Sequence, residues 1–445
     1  MARPLVVRPG PPLAGTLRPP GDKSVTHRAY ILGMLAGGET VVRHPNDGED
    51  CRATLRCVEA LGADAAASGV VVRLRGAAGR LARPVGELDC GNSGTTLRLL
   101  AGVLAGQPFP ATLTGDDSLR RRPMDRVVEA LRAMGAAVSG RDGGRLPPLE
   151  IRGGPLRGTC FERVTPSAQV ASAILLAGVQ ARGTTCVWTA PGARDHTARL
   201  LPRFGVAVES SRDRGRTRFA VAGPAKLAAC EVVVPGDFSA TACHLAAAAA
   251  TPGARVEFVG VGLNPGRVVL LSVLRAMGAR IDVRGVTELA GEPVGDLIVS
   301  GADRLRPVDI DPADVPALQD EVPAWTVAAS AAPGISRLRG AAELRVKESD
   351  RLHALAEGLG VLGVRVDETP DGLDIQGGGA HGGTVRAYGD HRIAMAFAVL
   401  GTRASGPVTV DDAGCISTSY PAFVDDLRSL GGLVEEPPIA GGAGV

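Results

Sequence analysis

Along this chain, apolar stretches rich in Ala, Leu and Val alternate with polar starts, and one pattern recurs six times. In GDKSVTHRAYILGMLAGG, from Gly21, an aspartate, a lysine, two hydroxyls and a His-Arg pair precede an apolar run. Asp or Ser just before such a run predicts a helix start, because its side chain satisfies N–H groups left open in the first turn. The arrangement returns in GNSGTTLRLLAGVLAG from Gly91, TPSAQVASAILLAGVQ from Thr165 and GDFSATACHLAAAAATPG from Gly236. It returns again in QDEVPAWTVAASAAPG from Gln319 and GDHRIAMAFAVLG from Gly389. These runs have little polar surface, so they predict buried helices.

A second signature keeps nearly the same beat. Apolar–Gly pairs at Leu61-Gly62, Met134-Gly135, Phe204-Gly205, Met277-Gly278, Leu362-Gly363 and Leu430-Gly431 predict helices that end in a left-handed turn and pass into a strand. Two independent markers, each returning about every seventy residues, make a repeat. Six units in 445 residues divide into three and three, enough for two domains with a core each. The strand in EVVVPG, Glu231 to Gly236, is expected to open the fourth repeat at the crossing between halves. Asp50 and Asp125 are expected to cap the helices in CRATLRCVEALG and MDRVVEALRAMG, and the tail from Glu435 is expected to be disordered.

Composition narrows the function classes. A hydrophobic content of 45%, a charged content of 22% and a net charge of +2 describe a globular chain with no bulk preference for nucleic acid or membrane. The N-terminus has no apolar signal segment, and the eight cysteines show no CxxC spacing, so they read as buried reduced thiols of a cytoplasmic protein. The seven histidines form no HExxH or Cys/His cluster, and no GxxxxGK occurs, so neither a metal nor a nucleotide cofactor is expected. Only Lys23, Lys226 and Lys347 are lysines among 49 basic residues. Where Arg otherwise supplies positive charge, a retained lysine points to a use for its compact, titratable ammonium. Lys226 sits in a turn-like GPAKL and needs no such explanation.

The polar residues at the helix starts are lopsided in charge. Lys23, Arg28, Arg122, Arg194, Lys347, Arg351 and Arg392 are cations, and Ser24, Ser167 and Gln169 add neutral donors. Asp320 and Glu348 are the chief acids among them. Arg120 and Arg121 belong with Arg122 to SLRRRPM, which can equally be a solvated loop, although Pro123 pins the backbone beyond Arg122. Helix starts already favour anions, and stacked repeats can aim equivalent ends at one place. Arg pairs with phosphate and carboxylate, and Lys347 beside Glu348 offers acid/base chemistry. The residues therefore point to an enzyme acting on two anionic small molecules without a cofactor.

In GDKSVTHR, GNSGTTLR, LTGDDSLRRRPM, PSAQVAS, LRVKESDRL and YGDHRIAM, in that order over most of its length, the chain resembles the enolpyruvyl transferases. The resemblance implies an α/β fold, a two-lobed inside-out α/β barrel of six βαβαββ repeats, three per lobe. It places residues 1–20 with 233–445 in a C-terminal lobe and 21–232 in an N-terminal lobe. It implies transfer of the enolpyruvyl group of phosphoenolpyruvate to the 5-hydroxyl of shikimate 3-phosphate, by a monomer with no cofactor. Carried over by position, shikimate 3-phosphate meets Lys23, Ser24, Arg28, Ser167, Ala168, Gln169, Asp320 and Lys347, with Arg194 a weaker candidate. Phosphoenolpyruvate meets Lys23, Gly94, Arg122, Gln169, Arg351 and Arg392. Asp320 resembles the base at the 5-hydroxyl, while Glu348 and Lys23 resemble the groups moving protons at the methylene carbon and the departing phosphate.

Three positions depart from some relatives. Ala168 stands for a serine, Ala171 for a lysine and Thr418 for a substrate-binding lysine. Gly94 is unsubstituted, which implies sensitivity to glyphosate. The alternatives are a UDP-N-acetylglucosamine enolpyruvyl transferase and a non-catalytic anion-binding relative. Against the first, the loop LTGDDSLRRRPM has no cysteine; against the second stand Asp320, Glu348 and both pocket lysines.

Overall fold

The computed structural model describes residues 3–165 and 167–437. Its contacts divide into two units. One holds the chain up to Pro20, Gly236–Thr287 and the chain from Pro293; the other holds Gly21–Pro235 and Glu288–Glu292.

The unit that starts at Gly21 has three sheets of identical design. In the first, Glu231–Val233, Gly37–Arg43, Val71–Ala77 and Asp64–Ser68 lie side by side. The second orders Leu88–Asp89, Pro110–Thr114, Leu146–Arg152 and Ala137–Gly140; the third orders Cys160–Thr165, Gly183–Thr189, Arg216–Gly223 and Val208–Asp213. Each begins with a parallel pair and continues antiparallel. A parallel pair needs a crossover, and the buried helices Lys23–Leu35, Gly94–Leu104 and Ala168–Gly178 occupy that position in the repeats. Packing is close where side chains are small. A Cβ on Gly102 would lie 2.3 Å from the carbonyl oxygen of Ala173, so the second and third buried helices touch backbone to backbone there. The outer helices are one-sided instead: Asp125–Ala133 buries Val127, Val128, Ala130 and Leu131 and turns Arg126 and Glu129 outward.

The other unit repeats the design around Phe238–Ala250, Val322–Ala331 and His391–Gly401. One of its sheets has three strands, and an isolated parallel bridge between Asp309 and Arg337 stands where the remaining strand would pair. All six glycines of the apolar–Gly pairs have positive φ, from +78° at Gly363 to +107° at Gly135. The repeat count and the turn assignment therefore hold.

Several local expectations do not. Glu231–Val233 pairs parallel with Gly37–Arg43 and so serves the first repeat, while Ala14–Leu17 pairs parallel with Arg255–Gly262 and serves the fourth. Leu5–Arg8, at the start of the chain, lies between Val408–Val410 and Leu433–Glu435 and completes the last sheet. Glu435, expected to begin a disordered tail, is thus a strand residue, and its carboxylate pairs with Arg8 at 2.7 Å. Residues 438–445 of that segment lie outside the described residues.

Gly48 and Met124, not Asp50 and Asp125, occupy the cap positions; both aspartates stand in the first turn, where they still complement the helix dipole. Cys160 and Cys186 are not reduced thiols but a disulfide. The parallel register sets them opposite each other with Cα atoms 4.5 Å apart. Cys51, Cys57, Cys90 and Cys243 are buried thiols, whereas Cys230 and Cys415 are half-buried. No helix among the described residues is long and apolar enough to cross a membrane.

Candidate active-site residues in the two units

At the start of the first buried helix, the Asp22 side chain accepts from the Val25 N–H at 2.9 Å. That cap leaves Lys23 and Ser24 half-buried on the first turn. Lys23 Nζ donates to Asp50 Oδ2 at 2.8 Å. Asp50 was read as a helix cap; its side chain in fact orients a lysine.

One turn further on, Arg28 is buried and links three elements. Its Nη1 donates to the Ser24 carbonyl at 2.8 Å, Nε to Thr197 Oγ1 at 2.7 Å and Nη2 to Ser172 Oγ at 2.7 Å. Thr197 Oγ1 in turn donates to Ser172 Oγ at 2.8 Å. The first and third buried helices and the short helix His196–Leu200 are thereby tied together. Ser172 and Thr197 had no sequence signal of their own, since a hydroxyl inside an apolar run is usually local structure. Arg194 lies half-exposed in the loop before that short helix.

His27 takes no charged part. Burial, with Lys23 and Arg28 nearby, pushes its imidazole well below the ordinary value. Its Nδ1 lies 2.6 Å from Thr54 Oγ1, and hydroxyl contacts continue through Thr96 to Ser93, the cap of the second buried helix.

Gly94 is the first residue of that second helix, and a Cβ there would lie 2.7 Å from Arg98 Nη1 and 3.4 Å from Arg122 Nη1. Arg122 is buried, and its Nη2 donates to Asn92 Oδ1 at 2.6 Å. Ser167 caps the third helix through a bond from the Val170 N–H at 3.4 Å, and Ala168 opens it. Gln169 Nε2 donates to Thr95 Oγ1 at 2.9 Å. Lys23, Ser24, Arg28, Gly94, Arg122, Ser167, Ala168, Gln169 and Arg194 thus all belong to one unit, and the bonds above join its three buried helix starts.

Asp320, Lys347, Glu348, Arg351 and Arg392 belong to the other unit, where four of them form one network. Arg351 is 1% exposed and meets three carboxylates. Its Nη2 donates to Glu348 Oε2 at 2.6 Å, Nε to Asp390 Oδ2 at 2.8 Å and Nη1 to Asp320 Oδ1 at 3.3 Å. Burial opposes the charge on this guanidinium, yet Asp390, Glu348 and Asp320 together hold its pKa above the ordinary value. Arg392 Nη1 donates to the Asp320 carbonyl at 3.0 Å, and its Nη2 lies 3.7 Å from Asp320 Oδ2. Asp390 caps the sixth buried helix through the Arg392 N–H, so one carboxylate serves both the helix and Arg351. The sequence showed Asp390 only as part of YGDHR. Lys347 follows the short turn Ala342–Val346, half-buried beside Glu348.

Comparison with known proteins agrees over nearly the whole length. The model of the family described as EPSP synthase (3-phosphoshikimate 1-carboxyvinyltransferase) matches residues 7–427. A 3-phosphoshikimate 1-carboxyvinyltransferase from Thermus thermophilus is 50% identical over 420 residues, covering 94% of this chain and 97% of the relative. One from Alkalilimnicola ehrlichii is 48% identical over 424 residues, 94% of each chain. The EPSP synthase structure from Acinetobacter baumannii superposes with a TM-score of 0.85 at 37% identity, covering 98% of this chain and 100% of that one. The enolpyruvyl transferase NikO from Streptomyces tendae shares the fold, with a TM-score of 0.78 at 18% identity over 98% of this chain and 99% of its own.

Proposed function

The chain belongs to the EPSP synthase family, and on that footing we propose that it transfers the enolpyruvyl group of phosphoenolpyruvate to the 5-hydroxyl of shikimate 3-phosphate and releases phosphate. The observation that carries the residue assignment is the division of labour between two sets. Lys23, Arg28 and Arg122 supply cations among hydroxyl and amide donors; Asp320 and Glu348 supply carboxylates on one guanidinium, Arg351.

In this reading Lys23, Ser24, Arg28, Ser167, Ala168, Gln169, Asp320 and Lys347 hold shikimate 3-phosphate, with Arg194 near its phosphate. Lys23, Gly94, Arg122, Gln169, Arg351 and Arg392 hold phosphoenolpyruvate. Asp320 takes the proton of the 5-hydroxyl as it attacks. Glu348 and Lys23 move protons at the methylene carbon and at the departing phosphate. The adduct between the two substrates is tetrahedral and anionic, so preplaced cations are the main source of rate. Ala168 offers only its backbone there, and its carbonyl already accepts from Ser172 Oγ at 2.8 Å.

The test is release of inorganic phosphate. Release that requires both substrates together supports the reading; release from phosphoenolpyruvate alone, or with UDP-N-acetylglucosamine in place of shikimate 3-phosphate, overturns it. Glyphosate should inhibit, because Gly94 carries no methyl. The reading includes a cytoplasmic monomer. Counting thiols in the native protein shows whether Cys160 and Cys186 remain paired there.

A further inference from the structure

Arg98 is absent from the residues assigned above, yet it touches three of the places where they sit. It lies one turn into the second buried helix. Its Nη1 donates to Gln169 Oε1 at 2.7 Å and to the Gly94 carbonyl at 3.3 Å; its Nη2 donates to the Pro123 carbonyl, just beyond Arg122, at 2.9 Å. A guanidinium has donors only, whereas an amide has a donor end and an acceptor end that can exchange by rotation. Facing Arg98, Gln169 must present its oxygen. Its nitrogen is then forced to the other side, where Thr95 takes one of two N–H groups.

We infer that Arg98 is a positioning residue: it locks the Gln169 amide with its N–H end toward the anionic substrates and braces the Gly94 and Pro123 backbone beside Arg122. The inference rests on the proposed substrate contacts of Gln169. Without Arg98, the amide can turn and set a carbonyl oxygen against substrate oxygens, replacing attraction by repulsion. The same geometry gives Gly94 a second reason to lack a side chain. A methyl there meets Arg98 Nη1 at 2.7 Å, so Gly94→Ala disturbs the lock on Gln169 as well as the space beside it.

The test is a double-mutant cycle on kcat/KM for both substrates, read by phosphate release, with Arg98→Ala, Gln169→Ala and the double variant. Each single variant should lose roughly 10- to 100-fold, the scale of one charged hydrogen bond and its disruption. In the Gln169→Ala background, Arg98→Ala should cost no more than about a third of its factor in the parent, because the group it orients is gone. Equal factors in both backgrounds overturn the inference. Arg98→Lys keeps the charge but cannot span all three acceptors; it should show the same coupling, and it serves if Arg98→Ala unfolds, as thermal melting will tell. A parent without two-substrate phosphate release sinks the proposed activity itself. A Gln169→Ala variant at full kcat/KM in an active parent sinks this inference alone.

Discussion

The first and fourth buried helices, Lys23–Leu35 and Phe238–Ala250, have the same length of 13 residues and nearly the same first turn. Asp22 and Asp237 cap them, and Thr26 and Thr241 each donate from Oγ1 to the cap carbonyl at 2.8 Å. Their side chains then part company. Where the first helix puts Lys23 and Ser24, half-buried, the fourth puts Phe238 and Ser239, buried. Ser239 Oγ, accepting from Arg267 at 2.9 Å, donates to Glu321, which leads into the fifth helix. One backbone template thus makes a lysine-bearing start in one repeat and a core joint in another. The repeat supplies the cap and the dipole; the residue after the cap decides whether the start carries a cation or joins the core.

The largest effect should come from making the first start a copy of the fourth. Lys23→Phe removes the proposed substrate cation and proton-transfer group and should lower kcat/KM by roughly 10²- to 10⁴-fold. Thermal melting should fall as well, since Asp50 is buried and loses the ammonium that faces it at 2.8 Å. A variant with more than a tenth of parental kcat/KM would take Lys23 out of the chemistry.

Arg351 tests the carboxylate-rich counterpart in the other unit. Arg351→Ala should lower kcat/KM by roughly 10- to 150-fold through the lost charged bond. It also leaves Asp390 buried without its guanidinium, at a cost of about 3–5 kcal/mol in stability by urea titration. Full stability with lost activity would show that the network rearranges around the gap.

The fourth helix carries its own titrating group. Burial, against the pull of the Ala240 backbone, pushes the His244 imidazole from 6.5 down to about 4. Between those values the unfolded chain binds a proton that the folded one refuses. Stability is therefore full above about pH 6.5 and falls as the pH drops toward 4, by on the order of 3 kcal/mol. His27, lowered in the same direction, adds to the slope. His244→Gln should remove about one proton's share of it, seen by comparing urea midpoints at pH 7 and 4.5; an unchanged slope would show that His244 is not the source.

The smallest effects concern the caps themselves. Asp22→Ala should cost about 1 kcal/mol of stability. Asp237→Ala should cost more, since Arg267 Nη1 lies 3.7 Å from its carboxylate in a buried setting. Only Asp22→Ala should also lower kcat/KM, because only that start carries Lys23. Equal costs would mean that Arg267 gains nothing from Asp237.

Periodicity was legible because it is local. A cap, an apolar run and a left-handed glycine each act within a few residues, so six helix starts and six turn glycines could be read in order, together with the lysines and arginines that stand on them. Partners across the chain were not legible. Asp50 looked like a cap because a first-turn aspartate often is one; that its carboxylate reaches Lys23 depends on how two helices pack. Asp390, Ser172, Thr197 and Arg98 acquire their roles in the same way, from neighbours distant in sequence.

Strand assignment shows the division most clearly. Ala14–Leu17 and Glu231–Val233 each precede a buried helix, and local pattern cannot say which sheet either one joins. The exchange between them, and the pairing of Cys160 with Cys186, are decided by hydrogen-bond register between remote segments. The sequence alone determined which residues could start helices, turn and carry charge, because those properties belong to the residues and their near neighbours. Only the tertiary structure decided which of them meet, because meeting depends on packing the whole unit at once.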